Sequence, residues 1–232
     1  MLNLQQESRG AIMETAKNLS AENFIADTKS LNRVLRNTYL LLSATLFFSA
    51  ITATTSALLK LPHSGIVITL AGYFGLLFLT SKLRNSTGGI YSVFALTCFM
   101  GYTIGPIVGA YWAMAPAVVM QSMAGTAVIF LGLSTFATTS KRDFNFLGLS
   151  LTIGVIVAFL IGIGALVFQI PGLSLAVSAM FVVLMSGMIL YQVNQITQGG
   201  ETNYIMATVT LFVSIFNLFT SLLHLLGFAQ SE

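Results

Sequence analysis

Seven apolar runs, at roughly 38–59, 64–80, 88–112, 117–138, 146–168, 172–191 and 203–228, divide this chain. A helix crosses about 30 Å of hydrocarbon with about 20 residues, so each run suits a single pass. The runs are too long for barrel strands of about ten residues, and a helix satisfies its own backbone N–H and C=O groups where no water can. Only 7% of the residues are charged, against about a quarter in a soluble domain. The pattern predicts an all-α membrane protein, with seven transmembrane helices over residues 38–232 and a tail over residues 1–37.

The last run constrains the bundle further. With side chains turned about 100° apart around a helix, Asn203, Thr210, Ser214, Asn217, Ser221 and His224 share one narrow stripe. An unpaired amide or hydroxyl facing lipid costs a few kcal/mol. The seventh helix is therefore expected at the centre, wrapped by the other six.

Between the runs stand helix breakers: Leu61-Pro62, Gly88-Gly89, Pro116, Pro171-Gly172 and Gly199-Gly200. The tail reads as polar and weakly helical, with Leu31, Val34 and Leu35 at the membrane interface. It carries five basic and four acidic side chains and no apolar core before a cleavage site, so no signal peptide is expected. Seven passes put Arg9, Lys17, Lys29, Arg33, Arg36, Lys82, Arg84, Lys141 and Arg142 on one side and Lys60 on the other. Cytoplasmic loops are the basic ones, which predicts a cytoplasmic N-terminus and an external C-terminus. The net charge of +3 belongs to these loops and gives no reason to expect a nucleic-acid partner; membrane lipid is the expected surroundings.

Two runs carry small residues at four-residue spacing. Gly101, Gly105 and Gly109, beside Pro106, leave one face of the third helix bare; Gly154, Ala158 and Gly162 do so on the fifth. Such faces let membrane helices approach closely, and packing outweighs gating as their reading. At the end of the sixth run, Gln192, Asn194, Gln195 and Gln198 precede Gly199, Gly200 and Glu201. The glycine pair ends that helix, Thr202 or Asn203 caps the next, and Glu201 complements its free N–H groups. A satisfied loop cap is favoured there over an ion site.

Several chemistries fall away. No lysine follows Lys141, as a retinal pigment would need. Ser214 and His224 lie ten residues apart, about 15 Å along one helix, and cannot act as nucleophile and base; Ser221 and His224 lack any Gly-rich oxyanion element. His63 and His224 have no acidic or cysteine partner at ligand spacing, so neither metal nor cofactor is expected. No Asp or Glu lies in any span, which weakens a proton relay. Cys98, the single cysteine, excludes an intrachain disulfide.

VLRNTYLLLSATLFFSAITATTS (34–56), GYTIGPIVGAYW (101–112) and above all QGGETNYIMATVTLFVSIFNLFTSLL (198–223) resemble the Bax-inhibitor family of small membrane proteins. The likeness covers the chain from about residue 30 and is closest to a bacterial branch. It implies six helices around a central C-terminal one, in the inner membrane of a Gram-negative bacterium. Some members hold a pair of aspartates as a pH-sensitive latch on a calcium leak; those positions match Gln192 and Ser214 here, which cannot ionise. An amide and a hydroxyl there would hold helices six and seven together at any pH. The bacterial branch is associated with FtsH, the membrane-anchored ATP-dependent protease.

The resemblance and the tail together lead to a non-enzymatic membrane protein that binds and modulates FtsH through residues 1–37. The alternative is an ion leak, of calcium or protons, along the stripe of the seventh helix. Association with further copies of the chain stays open. The charge asymmetry makes a topology prediction: alkaline phosphatase fused after Glu232 will be active outside the cytosol, and a fluorescent reporter there that lights up only in the cytosol would contradict it.

Overall fold

The computed structural model describes residues 2–62, 65–140 and 142–230, with side chains described from residue 30 onward except at Pro171. His63, Lys141 and Glu232 lie outside the described residues, as do the side chains of Arg9, Lys17 and Lys29. The chain forms α1 (Leu2–Leu58), α2 (Gly65–Leu83), α3 (Thr87–Met114), α4 (Pro116–Thr139), α5 (Leu147–Val167), α6 (Pro171–Thr197) and α7 (Tyr204–Ala229). All seven are long and apolar enough to cross a membrane.

The first helix is longer than the apolar pattern implies. It starts at Leu2 and runs unbroken to Leu58, its apolar stretch beginning at Ser30 rather than residue 38. Residues 2–37 contain no proline and a single glycine, and sixteen of the thirty-six are Ala, Leu, Gln, Glu or Lys. Those are good helix formers, so nothing stops the helix at the membrane surface. Val34 and Leu35 are partly buried and pack against the core.

Helix ends follow from local chemistry. Only Ala115 separates α3 from α4, its N–H returning to Tyr111 O, and Pro116 starts the next helix where no N–H is needed. Two helices close with paired 6→1 and 5→2 type bonds around a left-handed residue. At α6 that residue is Gly199 (φ 79°), with Gly200 N–H donating to Gln195 O at 2.8 Å. At α1 it is Lys60 (φ 49°), where Leu61 N–H donates to Ser56 O and Lys60 N–H to Ala57 O. A side chain in that conformation costs about 1–2 kcal/mol more than glycine.

α7 lies at the centre, packed directly on α1, α3, α4 and α6, while α2 and α5 take outer positions on α3 and α6. Phe212, Leu211, Leu218 and Ile215 of α7 join Leu96, Val93, Ile189 and Val193 in one main core. The bare face of α3 meets α1: a Cβ on Gly101 would run into Ser49 O, one on Gly105 would lie 2.6 Å from Ala53 O, and Gly109 faces Ala57. On α5, Gly154 accommodates Leu184 and Gly162 faces Val177, both of α6.

Pro106 sits inside α3, so Tyr102 O, four residues earlier, has no amide to accept from. The buried Ser56 hydroxyl of α1 donates to that carbonyl at 3.0 Å. The proline gap is thus filled by a neighbouring helix, which ties the α1–α3 seam where glycines already bring the backbones together.

This seam yields a stability prediction. Gly105→Ala drives a methyl into backbone and is expected to cost about 1–3 kcal/mol, and Ser56→Ala, which leaves Tyr102 O unbonded, about 1–3 kcal/mol. Gly132→Ala, at an open position, serves as the control. Unfolding titrations in mixed micelles measure all three, and equal midpoints would contradict the assignment.

Candidate functional site

The stripe of α7 divides into three surroundings. At the mouth, Asn203 caps the helix: its Oδ1 accepts from Ile205 N–H and Met206 N–H, while its Nδ2 donates to Arg84 O and Asn85 Oδ1. In the middle, Ser214 is buried, and Thr210 and Asn217 are half-buried. Ser214 Oγ donates to Thr210 O and Asn217 Nδ2 to Val213 O, both at 2.8 Å and both one turn back on the same helix. At the far end lie Ser221, buried, and His224, whose Nδ1 is 2.8 Å from Ser178 Oγ on α6. Ser178 Oγ also lies 3.0 Å from Ser174 O on its own helix, so this one hydroxyl bridges α6 and α7.

The Ser178–His224 contact also sets the register of the antiparallel α6–α7 pair. Counting back from it along both helices brings Gln192 level with Thr210. Ser214 is then four residues deeper, about 6 Å along the axis. Consistent with that offset, Ser214 bonds its own helix, and Gln192 Nε2, in a residue 6% exposed, has no partner among the described residues. The two side chains share an interface without bonding each other.

The polar cluster at the end of α6 is a lock among three connections. Asn194 is fully buried; its Oδ1 accepts from Phe144 N–H at 3.0 Å and its Nδ2 donates to Arg142 O at 2.9 Å. Gln195 Nε2 bonds Asn145 Oδ1 in the same connection. Gln195 O accepts from both Gly200 and Glu201 N–H groups, and Glu201 Oε1 accepts from Asn203 N–H at 2.7 Å. A Cβ on Gly200 would collide with the Gln195 amide. Through Asn203 the lock continues to Arg84 and Asn85, so the α2–α3, α4–α5 and α6–α7 connections are tied together at one end of the bundle.

Sequence patterning singles out neither Asn85 nor Asn145. They lie in irregular connections, without periodicity. The only advance sign of them is the surplus of amides at Gln192, Asn194 and Gln195: once buried, such groups must find backbone or side-chain partners off the helix.

The result is a seven-helix bundle, closed by amides at one end, with a polar-striped last helix at its centre. The chain belongs to the Bax1-I family, described as inhibitor of apoptosis-promoting Bax1, which it matches over residues 31–231. Among its relatives is the modulator of FtsH protease YccA of Escherichia coli strain K12, 49% identical over 205 residues, covering 88% of this chain and 93% of that one. An uncharacterised protein of Pseudomonas aeruginosa is 48% identical over 210 residues (90% and 95% of the two chains). An uncharacterised membrane protein of Vibrio cholerae is 40% identical over 208 residues (88% and 93%).

Removing the buried amide of Asn194 tests the lock. Asn194→Ala strips two backbone groups of their partner and is expected to cost about 1–3 kcal/mol. Trypsin cleavage at Arg142 in reconstituted protein should accelerate several-fold. An unchanged cleavage rate would show that the connection is held by other contacts.

Proposed function

We propose that this chain is a non-enzymatic protein of the bacterial inner membrane that binds FtsH and modulates that ATP-dependent protease, with its N-terminal segment as the contact. The observation that carries the reading is the near full-length similarity to a protein named as a modulator of FtsH protease. A further relative, from another Escherichia coli strain, is named an inner membrane protein.

The structure supplies a suitable handle. Residues 2–29 continue α1 beyond its apolar stretch, about 42 Å of helix, at the same end of the bundle as Arg84 and Arg142. The excess of Lys and Arg at this end supports a cytoplasmic location for the segment, within reach of the ATP-driven ring of a membrane-anchored protease. The α7 stripe supports a packing role rather than a leak. Ser214 and Asn217 are bonded within their own helix, and neither Gln192 nor Ser214 can change charge.

Deleting residues 2–20 should lengthen the half-life of the protein in a pulse-chase several-fold and remove FtsH from its co-purifying partners. Unchanged turnover together with unchanged co-purification would refute the proposed contact.

A further inference from the structure

Around α7, Phe212, Ile215, Phe216 and Phe219 fall on the side opposite the polar stripe. They floor a groove of about 420 Å³. Its walls are α1, from Leu46 to Thr54, and α4, from Val119 to Phe130, with Ile104 and Val108 of α3 beneath. Ala50, Thr54, Met123 and Ala127 on the walls are exposed, so the groove opens sideways to the surroundings of the bundle.

We propose that this groove binds one acyl chain of an anionic phospholipid from the leaflet opposite Arg84 and Arg142, with the headgroup phosphate against Lys60. Its depth fits one leaflet. The α4 wall covers twelve residues of helix from Val119 to Phe130, about 16 Å from first to last, which is half of the roughly 30 Å hydrocarbon core. At its inner end the groove is shut: Tyr39 of α1 meets Phe130 of α4 edge to face, with ring centres 6.2 Å apart. A partner's transmembrane helix would need a trough across the whole core, whereas a single chain stops where this groove stops.

The volume fits as well. At about 420 Å³ the groove is in the range of sites that hold a small apolar ligand. No charged residue lines the groove; its polar side chains are Ser49, Thr54 and Thr126, the last bonded to Ser122 O at 2.7 Å, and the rest of the lining is apolar. Val119 lies three residues inside the start of α4, which places the headgroup level with the helix ends. There Lys60 closes α1 in its left-handed conformation, exposed and about 9 Å beyond Thr54 along the axis. It is the one lysine or arginine among the described residues at that end of the bundle.

The test uses the full chain in nanodiscs containing phosphatidylglycerol with a diazirine midway along one acyl chain. Illumination should concentrate label on peptides covering residues 46–54, 119–130 and 212–219. Label spread evenly over the outer faces of α2 and α5 would overturn the proposal. Ala53→Phe with Ala127→Phe, which fills the groove, should bring labelling there down to the level of those outer faces. Should this pair fail to fold, the labelling map of the unaltered chain decides alone. Lys60→Gln should lower the preference for phosphatidylglycerol over phosphatidylcholine about five-fold, and an unchanged preference counts against the headgroup contact. A benzoyl-phenylalanine at Met123 that captures protein instead of lipid in native membranes would assign the groove to a partner helix and reject the lipid.

Discussion

Hydrocarbon offers no hydrogen bonds, and the structure is organised by the need to supply them from within. Serine and threonine hydroxyls throughout the bundle turn back onto carbonyls three or four residues earlier, as at Thr80, Ser92, Thr103, Ser122 and Thr126. Such bonds let a helix carry polar side chains at membrane depth without committing them to a pore. At the carbonyl freed by Pro106, where α3 cannot satisfy itself, Ser56 of the neighbouring α1 supplies the bond.

The second constraint is distance. With lipid as apolar as leucine, helices gain from one another through close packing, and glycine sets how close. α3 uses its glycine face against α1, α5 uses its own against α6, and Gly227 near the end of α7 receives Tyr111 of α3. The central helix is then held by two kinds of contact. Large apolar side chains fix its position, and polar groups at its two ends fix its register, through Asn203 at one and His224 with Ser178 at the other.

Much of this was legible in the sequence because length, hydropathy and small-residue spacing are local properties. Seven spans, the bare faces of α3 and α5 and a cap at Thr202 or Asn203 all follow from residues near one another in the chain, and the structure selects Asn203. The parts that were not legible join distant segments. Nothing around Asn194 names Phe144 and Arg142 as its partners, some fifty residues away. The offset between Gln192 and Ser214 depends on how far α6 and α7 slide past each other, which the turn from Gln198 to Asn203 sets and side-chain periodicity does not. The length of α1 was hidden for a different reason: its first half lacks an apolar stripe, and only the absence of breakers keeps it helical.

That unbroken α1 has a mechanical consequence. A helix without a joint between Leu2 and Leu58 transmits tension along its axis, so a pull at the amino end loads the glycine seam with α3 in shear. Contacts at Ser49, Ala53, Ser56 and Ala57 would bear that load together instead of peeling one at a time. Resistance to extraction from this end is therefore built into the seam itself.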